Sequence, residues 1–341
     1  MRNKFIIPQR GLGMVEMLVA LALSVGILTL LIQVFLSNKQ SYEINESMAR
    51  TQENARHAME TITQDARMAG HLGDIQQYWN ILETTDAAKI PPATVAGECF
   101  KTGNIRWLYP MIQKATRMAP QIVGENGGFS KFDCITAAQA NSDVLSLHYV
   151  GADPIVPANR ASGGLYVISH LTEGRIFRCN ANGAACTDPA DWTVPGATTP
   201  LARTTATYPI QAVAYYVDAQ DRLNKVALQP NGSIRTDPIA EGVVSFQVEY
   251  GWDDGPTDNL PEPVAYLSAN QIAGNFTAPP RWPDWSGIRT IRIWLLLRTQ
   301  AYDRGYSNTT SITVADQTIT PIAGYRYQLF VTTIASRNYH N

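Results

Sequence analysis

The chain has 341 residues, 45% hydrophobic and 16% charged, with a formal net charge of −2. A chain so low in charge and so rich in apolar residues folds rather than staying disordered. It also lacks the basic excess that counterion release on nucleic acid requires. Beyond an N-terminal membrane segment, roughly 270–300 residues remain, room for one large domain or two small ones.

The first eleven residues hold Arg2, Lys4 and Arg10, and removing them leaves a body of about −5 by the same count. From Met14 to Leu36 the only charge is Glu16. That run is long enough to cross about 30 Å of hydrocarbon as a helix, and the preceding cations keep its N-terminus cytoplasmic. A cleaved secretory signal would be shorter and end in small residues, whereas Ser37-Asn38-Lys39-Gln40 offers no such site. A plain signal anchor also fits, with Glu16 snorkelling to the headgroups. A carboxylate costs about 2.5–3.5 kcal/mol at mid-membrane and much less at the edge.

The joint pattern is more specific. A short basic leader ends at Gly11, an apolar residue follows, and Glu16 stands fifth after the glycine. This resembles the prepilin signal of type IV pilins and type II secretion pseudopilins. The resemblance implies cleavage between Gly11 and Leu12 by a membrane prepilin peptidase, with N-methylation of Leu12. It departs from the usual pattern in having Leu12 where Phe is common and Gly13 where Ser or Thr is common. An amine at Leu12 would be mostly protonated at neutral pH. In the low-dielectric core of a fibre it needs a partner, and Glu16, on this subunit or its neighbour, supplies one about a helical turn away.

No proline interrupts the sequence between Pro8 and Pro91, and Gly26 is the weak point inside the span. Met48, Ala55, Met59, Ile62, Ala66 and Ala69 recur at helical spacing, with Glu43, Glu46, Arg50, Glu53, Arg56 and Arg67 off the stripe. The helix is expected to run from Leu12 to about Ala69 and stop at Gly70 and Gly73, giving a length near 85 Å. Its run ARTQENARHAMETITQDARMAGHLG resembles the PilW-type minor pilins, and Arg56, Asp65 and Arg67 within it read as solvated faces and caps.

The body alternates like strands. DVLSLHYVG and GLYVISHL have strand composition, and AVAYYVDAQDRLNKVALQPNGSIR reads as a meander turning near Asp221 and at Asn231-Gly232. In VSFQVEYGW, Val244, Phe246, Val248 and Tyr250 share a face. In IRTIRIWLLLRTQ, Ile291, Ile293, Leu295 and Leu297 do so, and YRYQLFVTTIAS adds a last strand. The order GVVSFQVEYGWDDG, a variable loop, IRTIRIWLLLRTQ and a final strand also resembles PilW-type and J-type pseudopilin sequences, so the resemblance covers both ends of the chain. The fold class expected is α+β and pilin-like, a long N-terminal helix followed by an antiparallel, sheet-rich body. The expected divisions are leader 1–11, membrane or fibre-core helix 12–36, amphipathic continuation 37–70, and periplasmic body 71–341.

Four cysteines lie beyond the apolar segment, as expected of disulfides in an oxidising compartment. Cys179 and Cys186 bracket the turn-forming NANGAA and are paired. That leaves Cys99 with Cys134, closing a longer loop that restricts the unfolded chain by about 3–4 kcal/mol. No C-x-x-C spacing suggests zinc. The five histidines are scattered, with His57 expected at an exposed or boundary position of the helix. No nucleophile elbow or phosphate loop occurs, and Asp253, Asp254 and Asp258 read as an acidic turn before a calcium site. No catalysis, cofactor or metal is expected.

The family resemblance implies a minor pilin held in the inner membrane and then moved into a pilus. Its partners would be other minor pilins, the major pilin and a tip adhesin, supporting adhesion and twitching motility. Retention of Glu16 implies a place below the topmost subunit, since the outermost subunit of related secretion complexes lacks it. A J-type secretion pseudopilin and a signal-anchored periplasmic binding protein or hydrolase remain alternatives. Intact-mass spectrometry of the protein from peptidase-competent cells should give a chain beginning at N-methylated Leu12; a chain retaining Met1 to Gly11 contradicts the pilin reading.

Overall fold

The structure, a computed structural model, describes residues 13–75, 81–89, 121–130, 132, 134–171, 173–180, 186–192, 205–253, 263, 265–272, 285–336 and 338. Helix α1 spans Met14–Met68, 55 residues or about 83 Å, and passes Gly26 unbroken. Ala69 caps it, donating to the Asp65 carbonyl. Gly70 then turns at φ +78°, left-handed backbone that a Cβ would strain. The termination expected at Gly70 is therefore observed. Beyond it the chain continues as a short ladder on a strand, Gly70 N–H to His148 O and Val150 N–H to His71 O.

Fourteen strands follow among the described residues: β1 Ile81–Glu83, β2 Ile122–Glu125, β3 Val144–Val150, β4 Leu165–Ser169, β5 Gly174–Arg178, β6 Ala206–Val217 and β7 Arg222–Leu228. After them come β8 Ile234–Glu241, β9 Val243–Trp252, β10 Ala265–Leu267, β11 Ile288–Arg298, β12 Ile312–Val314, β13 Gln317–Ile319 and β14 Tyr327–Ala335. One sheet runs β1-β5-β4-β6-β3-β2, with β7 on β6 and β8 on β7. A second runs β10-β9-β11-β14, and β12 and β13 form a hairpin. Pairing is antiparallel except for β1 on β5, which is parallel. The meander is realised as β6, β7 and β8, turning at Asp221 (φ +57°) and Gly232 (φ +79°).

The strands of the first sheet bury both faces. Leu145, Leu147, Tyr149, Val213 and Tyr215 meet the helix residues Ala55, Ala58, Ile62 and Ala66, together with Phe246, Ile291, Ile293 and Leu295 of the second sheet. Val144, Val150, Ile210, Ala212 and Val226 point the other way, into a separate core with Leu72, Phe132 and Ile176. Every residue of β3 is consequently buried.

In β9 the expected face is shifted at one end. Leu296 pairs with Ser245 and Leu297 with Val243, so Val244 is the extra residue of a bulge. Val243 is buried and Val244 only half so, although Phe246, Val248 and Tyr250 lie where expected. The segment before β3 joins the two sheets. Asp143 N–H donates to Phe246 O at 2.8 Å, Phe246 N–H to Ser142 Oγ at 3.0 Å, and Val248 N–H to Asp143 Oδ2 at 2.8 Å. Gly124 in β2 lies against the Tyr250 hydroxyl, where an added Cβ would stand 1.9 Å from the oxygen.

Two buried groups on β3 and its approach oppose each other in acid. Burial holds the His148 pKa down to about 3 against its ordinary 6.5, a form whose stability is lost as pH falls below 6.5. Burial raises Asp143 to about 7, against two backbone N–H donors that lower it. Its contribution is present in acid and lost as pH rises towards 7. Asp143→Asn should therefore unmask the histidine. Stability measured by urea unfolding should fall by up to about 1.4 kcal/mol per pH unit between pH 6 and 4, a steeper slope than in the unaltered protein.

Candidate assembly site

Helix α1 has two halves with opposite environments. From Met14 to Leu36 its large apolar residues are all more than half exposed, and this half is long and apolar enough to cross a membrane. The first fully buried helix position is Ser47. Nothing among the described residues covers the apolar stalk, so its partner is lipid or another protein. At its tip the Glu16 carboxylate folds back and accepts from Gly13 N–H at 3.0 Å. The carboxylate thus caps the helix start one residue from Leu12. Gly11 and Leu12 themselves lie outside the described residues.

The second half is fastened to the body at several levels, beginning with the Gln40 side chain, which donates to Asp303 Oδ1 at 3.4 Å. Ser47 Oγ accepts from Gln300 N–H and Ala301 N–H, each at 3.1 Å. Asn54 donates to the Glu241 carbonyl at 3.3 Å. At the far end the Asn338 side chain donates to the Arg67 carbonyl at 3.1 Å. Gln300 follows β11 and Asn338 follows β14, so the second sheet spans the docked half of the helix.

Between these lies a feature that the helical pattern did not reveal. Asp65 was expected on a solvated face, and the structure places it in the core at 8% exposure. Tyr149 Oη donates to its Oδ1 at 2.8 Å, Tyr215 Oη donates to Oδ2, and Lys225 Nζ reaches Oδ2 at 2.5 Å. The donors come from β3, β6 and β7, so one carboxylate ties the helix to three strands. Burial first, and the Asp65 charge second, push both tyrosine hydroxyls well above their ordinary pKa of 10.0. Arg56 and Arg67 are exposed as expected, Arg56 pairing with Glu53 on the helix surface at 2.7 Å, and His57 is also exposed. A signal for Asp65 was present. It falls on the run Ala58, Ile62, Asp65, Ala69, spaced four, three and four, all of it buried.

Cys179 and Cys186 form a disulfide. Cys134 is also disulfide-bonded, and its expected partner Cys99 lies outside the described residues. Chain leaving Cys186 is held by two cations. Arg160 donates to the Cys186 carbonyl at 3.1 Å and pairs with Asp188 at 2.8 Å, and Lys89 Nζ donates to the Asp188 carbonyl at 2.7 Å. In the acidic turn, Asp253 pairs with Arg289 at 2.9 Å, while Asp254 and Asp258 lie outside the described residues. No cluster of three or more metal-ligating side chains occurs among the described residues. Ser146 Oγ and His148 Nε2 are 3.3 Å apart, but both residues are buried within the sheet, where no substrate can reach the hydroxyl.

An apolar stalk half free of the body, locked below to a sheet-rich domain, defines a pilin-like protein. Residues 207–338 match the family model PilW, described as Type IV Pilus-assembly protein W. The matched segment, under half of the chain, begins in β6 and ends at the asparagine that bonds the end of α1. Among solved structures, a type IV-like pilin from Thermus thermophilus is similar at 11% identity and a TM-score of 0.28, over 60% of this chain and 82% of that one. No curated protein matches the chain.

Asp65→Ala should cost about 3 kcal/mol in urea unfolding of the detergent-solubilised protein, the lower end for a broken buried pair, because Lys225 retains a path to water. In the unaltered protein the tyrosines' contribution is complete below pH 10 and lost progressively above it, and the variant should lose less stability in that range.

Proposed function

We propose that the protein is a minor pilin that co-assembles with other pilin-type subunits to start a type IV pilus and remains at or near its tip. Before assembly it stands in the inner membrane with its body on the periplasmic side. The observation that carries this reading is the free apolar stalk with the Glu16 carboxylate turned onto Gly13 N–H. That position lies beside the amine that cleavage after Gly11 would create, so the pair neutralises charge that a fibre core cannot solvate. The PilW match supports the pilus over a secretion machine. Neighbouring minor pilins, the major pilin and a tip adhesin are the partners this reading requires, with a prepilin peptidase acting first.

Glu16→Ala is the direct test. Cleavage should persist, while incorporation into sheared fibres should fall at least about ten-fold, since an unpaired cation in low dielectric costs more than the ~1.4 kcal/mol of one decade. Normal incorporation would return Glu16 to a snorkelling role. Deleting the gene should remove surface fibres and twitching and leave protein secretion intact; the reverse result assigns the chain to the secretion pseudopilins.

A further inference from the structure

Sheet edges carry unmet backbone N–H and C=O groups, and folded proteins blunt them with short strands, charge, proline or bulges. Most edges of this molecule are treated so. Strands β1, β2 and β10 have only three or four residues, and β8 carries Arg235, Asp237 and Pro238 and is bulged where it meets β7. Strand β14 is not blunted. Its nine residues, YQLFVTTIA, contain no charge and no proline, and they pair with β11 in unbroken register from Thr290↔Ala335 to Arg298↔Tyr327. Along its other edge no described residue pairs with it, and Val331 and Thr333 are exposed.

The direction of this strand is fixed by its ends. Tyr327 lies opposite Arg298, whose chain continues to the Gln300 and Ala301 amides on Ser47. Past Ala335 the chain reaches Asn338, which bonds the helix end at Arg67. Strand β14 therefore runs parallel to α1. Its nine residues reach about 30 Å, the same as the twenty helix residues from Ser47 to Arg67.

We propose that the free edge of β14 receives a strand from a different pilin-type subunit whose stalk stands beside α1 in the same direction. The proposal rests on the pilin reading above. A second copy of this chain is the wrong occupant. Symmetric antiparallel pairing of β14 with itself relates the copies by a two-fold axis across the strands, which points their stalks in opposite directions. Parallel self-pairing in register sets N–H against N–H, and the other edges a copy could offer, β1, β2, β8 and β10, are the short or blunted ones. Apolar stalks that share one membrane or fibre core must run the same way. A non-identical neighbour escapes this constraint, and its backbone supplies the complementary groups while β-branched and apolar side chains meet Val331.

The test is site-specific photocrosslinking in cells that carry the whole assembly system, with the crosslinking residue at Thr333 on the edge, at Val34 on the stalk, or at Arg235 on β8. The proposal expects Thr333 to crosslink to another subunit bearing a prepilin-type leader, with Arg235 giving no such product. The double variant Val331→Lys, Thr333→Lys, carrying the crosslinker at Gln328, should lower the yield about ten-fold at unchanged folding by circular dichroism. Crosslinks from Val34 to pilin-type subunits without any from Thr333 overturn the edge proposal and leave the pilin reading standing. Absence of crosslinks from both positions overturns the two together. A Thr333 product with a second copy of this chain, or a yield unchanged in the lysine variant, also overturns the proposal.

Discussion

The arrangement depends on one buried carboxylate. An isolated charge in a protein core is strongly unfavourable, and Asp65 is tolerated because two hydroxyls and one ammonium satisfy it from three strands. The same contacts that satisfy the charge fix the helix in rotation and height. Apolar packing of alanines on a sheet is smooth and would permit sliding; a carboxylate between Tyr149, Tyr215 and Lys225 has one position. Brace contacts at Ser47 and Asn338 then hold the two ends of the docked half.

Rigid docking of the lower half gives meaning to the free upper half. The exposed apolar residues from Met14 to Leu36 are covered by nothing among the described residues, and under the proposed pilin role they would meet lipid before assembly and neighbouring helices after it. Because the body cannot swing on the docked helix, wherever the stalk packs also determines where the second sheet is presented. No hinge is needed.

Much of this was legible in the sequence for simple reasons. The helix was visible because its apolar spacing and lack of proline are local, and its end because Gly70 supplies the left-handed turn. Strand faces at Ile291, Ile293, Leu295 and Leu297 followed from alternation, and the Cys179–Cys186 bridge from the close spacing of the two cysteines. Asp65 was misread because a charged residue in a helix is usually solvated, and its partners begin 84 residues downstream. The Val243–Val244 bulge escaped because one inserted residue reverses the facing of what lies beyond it without changing composition. Neither the free edge of β14 nor its direction along the helix could be read from alternation alone, since both depend on which strands become neighbours.

Helix α1 from Ser47 onward and the two sheets form one cooperative unit. Native-state hydrogen exchange of the full chain in detergent measures this directly, by comparing amides of residues 51–68 with those of β3 and β6. Both groups should exchange only by global opening, with the same free energy and the same denaturant dependence. Helix amides that exchange through a lower-energy opening, while the sheet stays protected, would show the helix leaving the body as a separate element and would contradict the account.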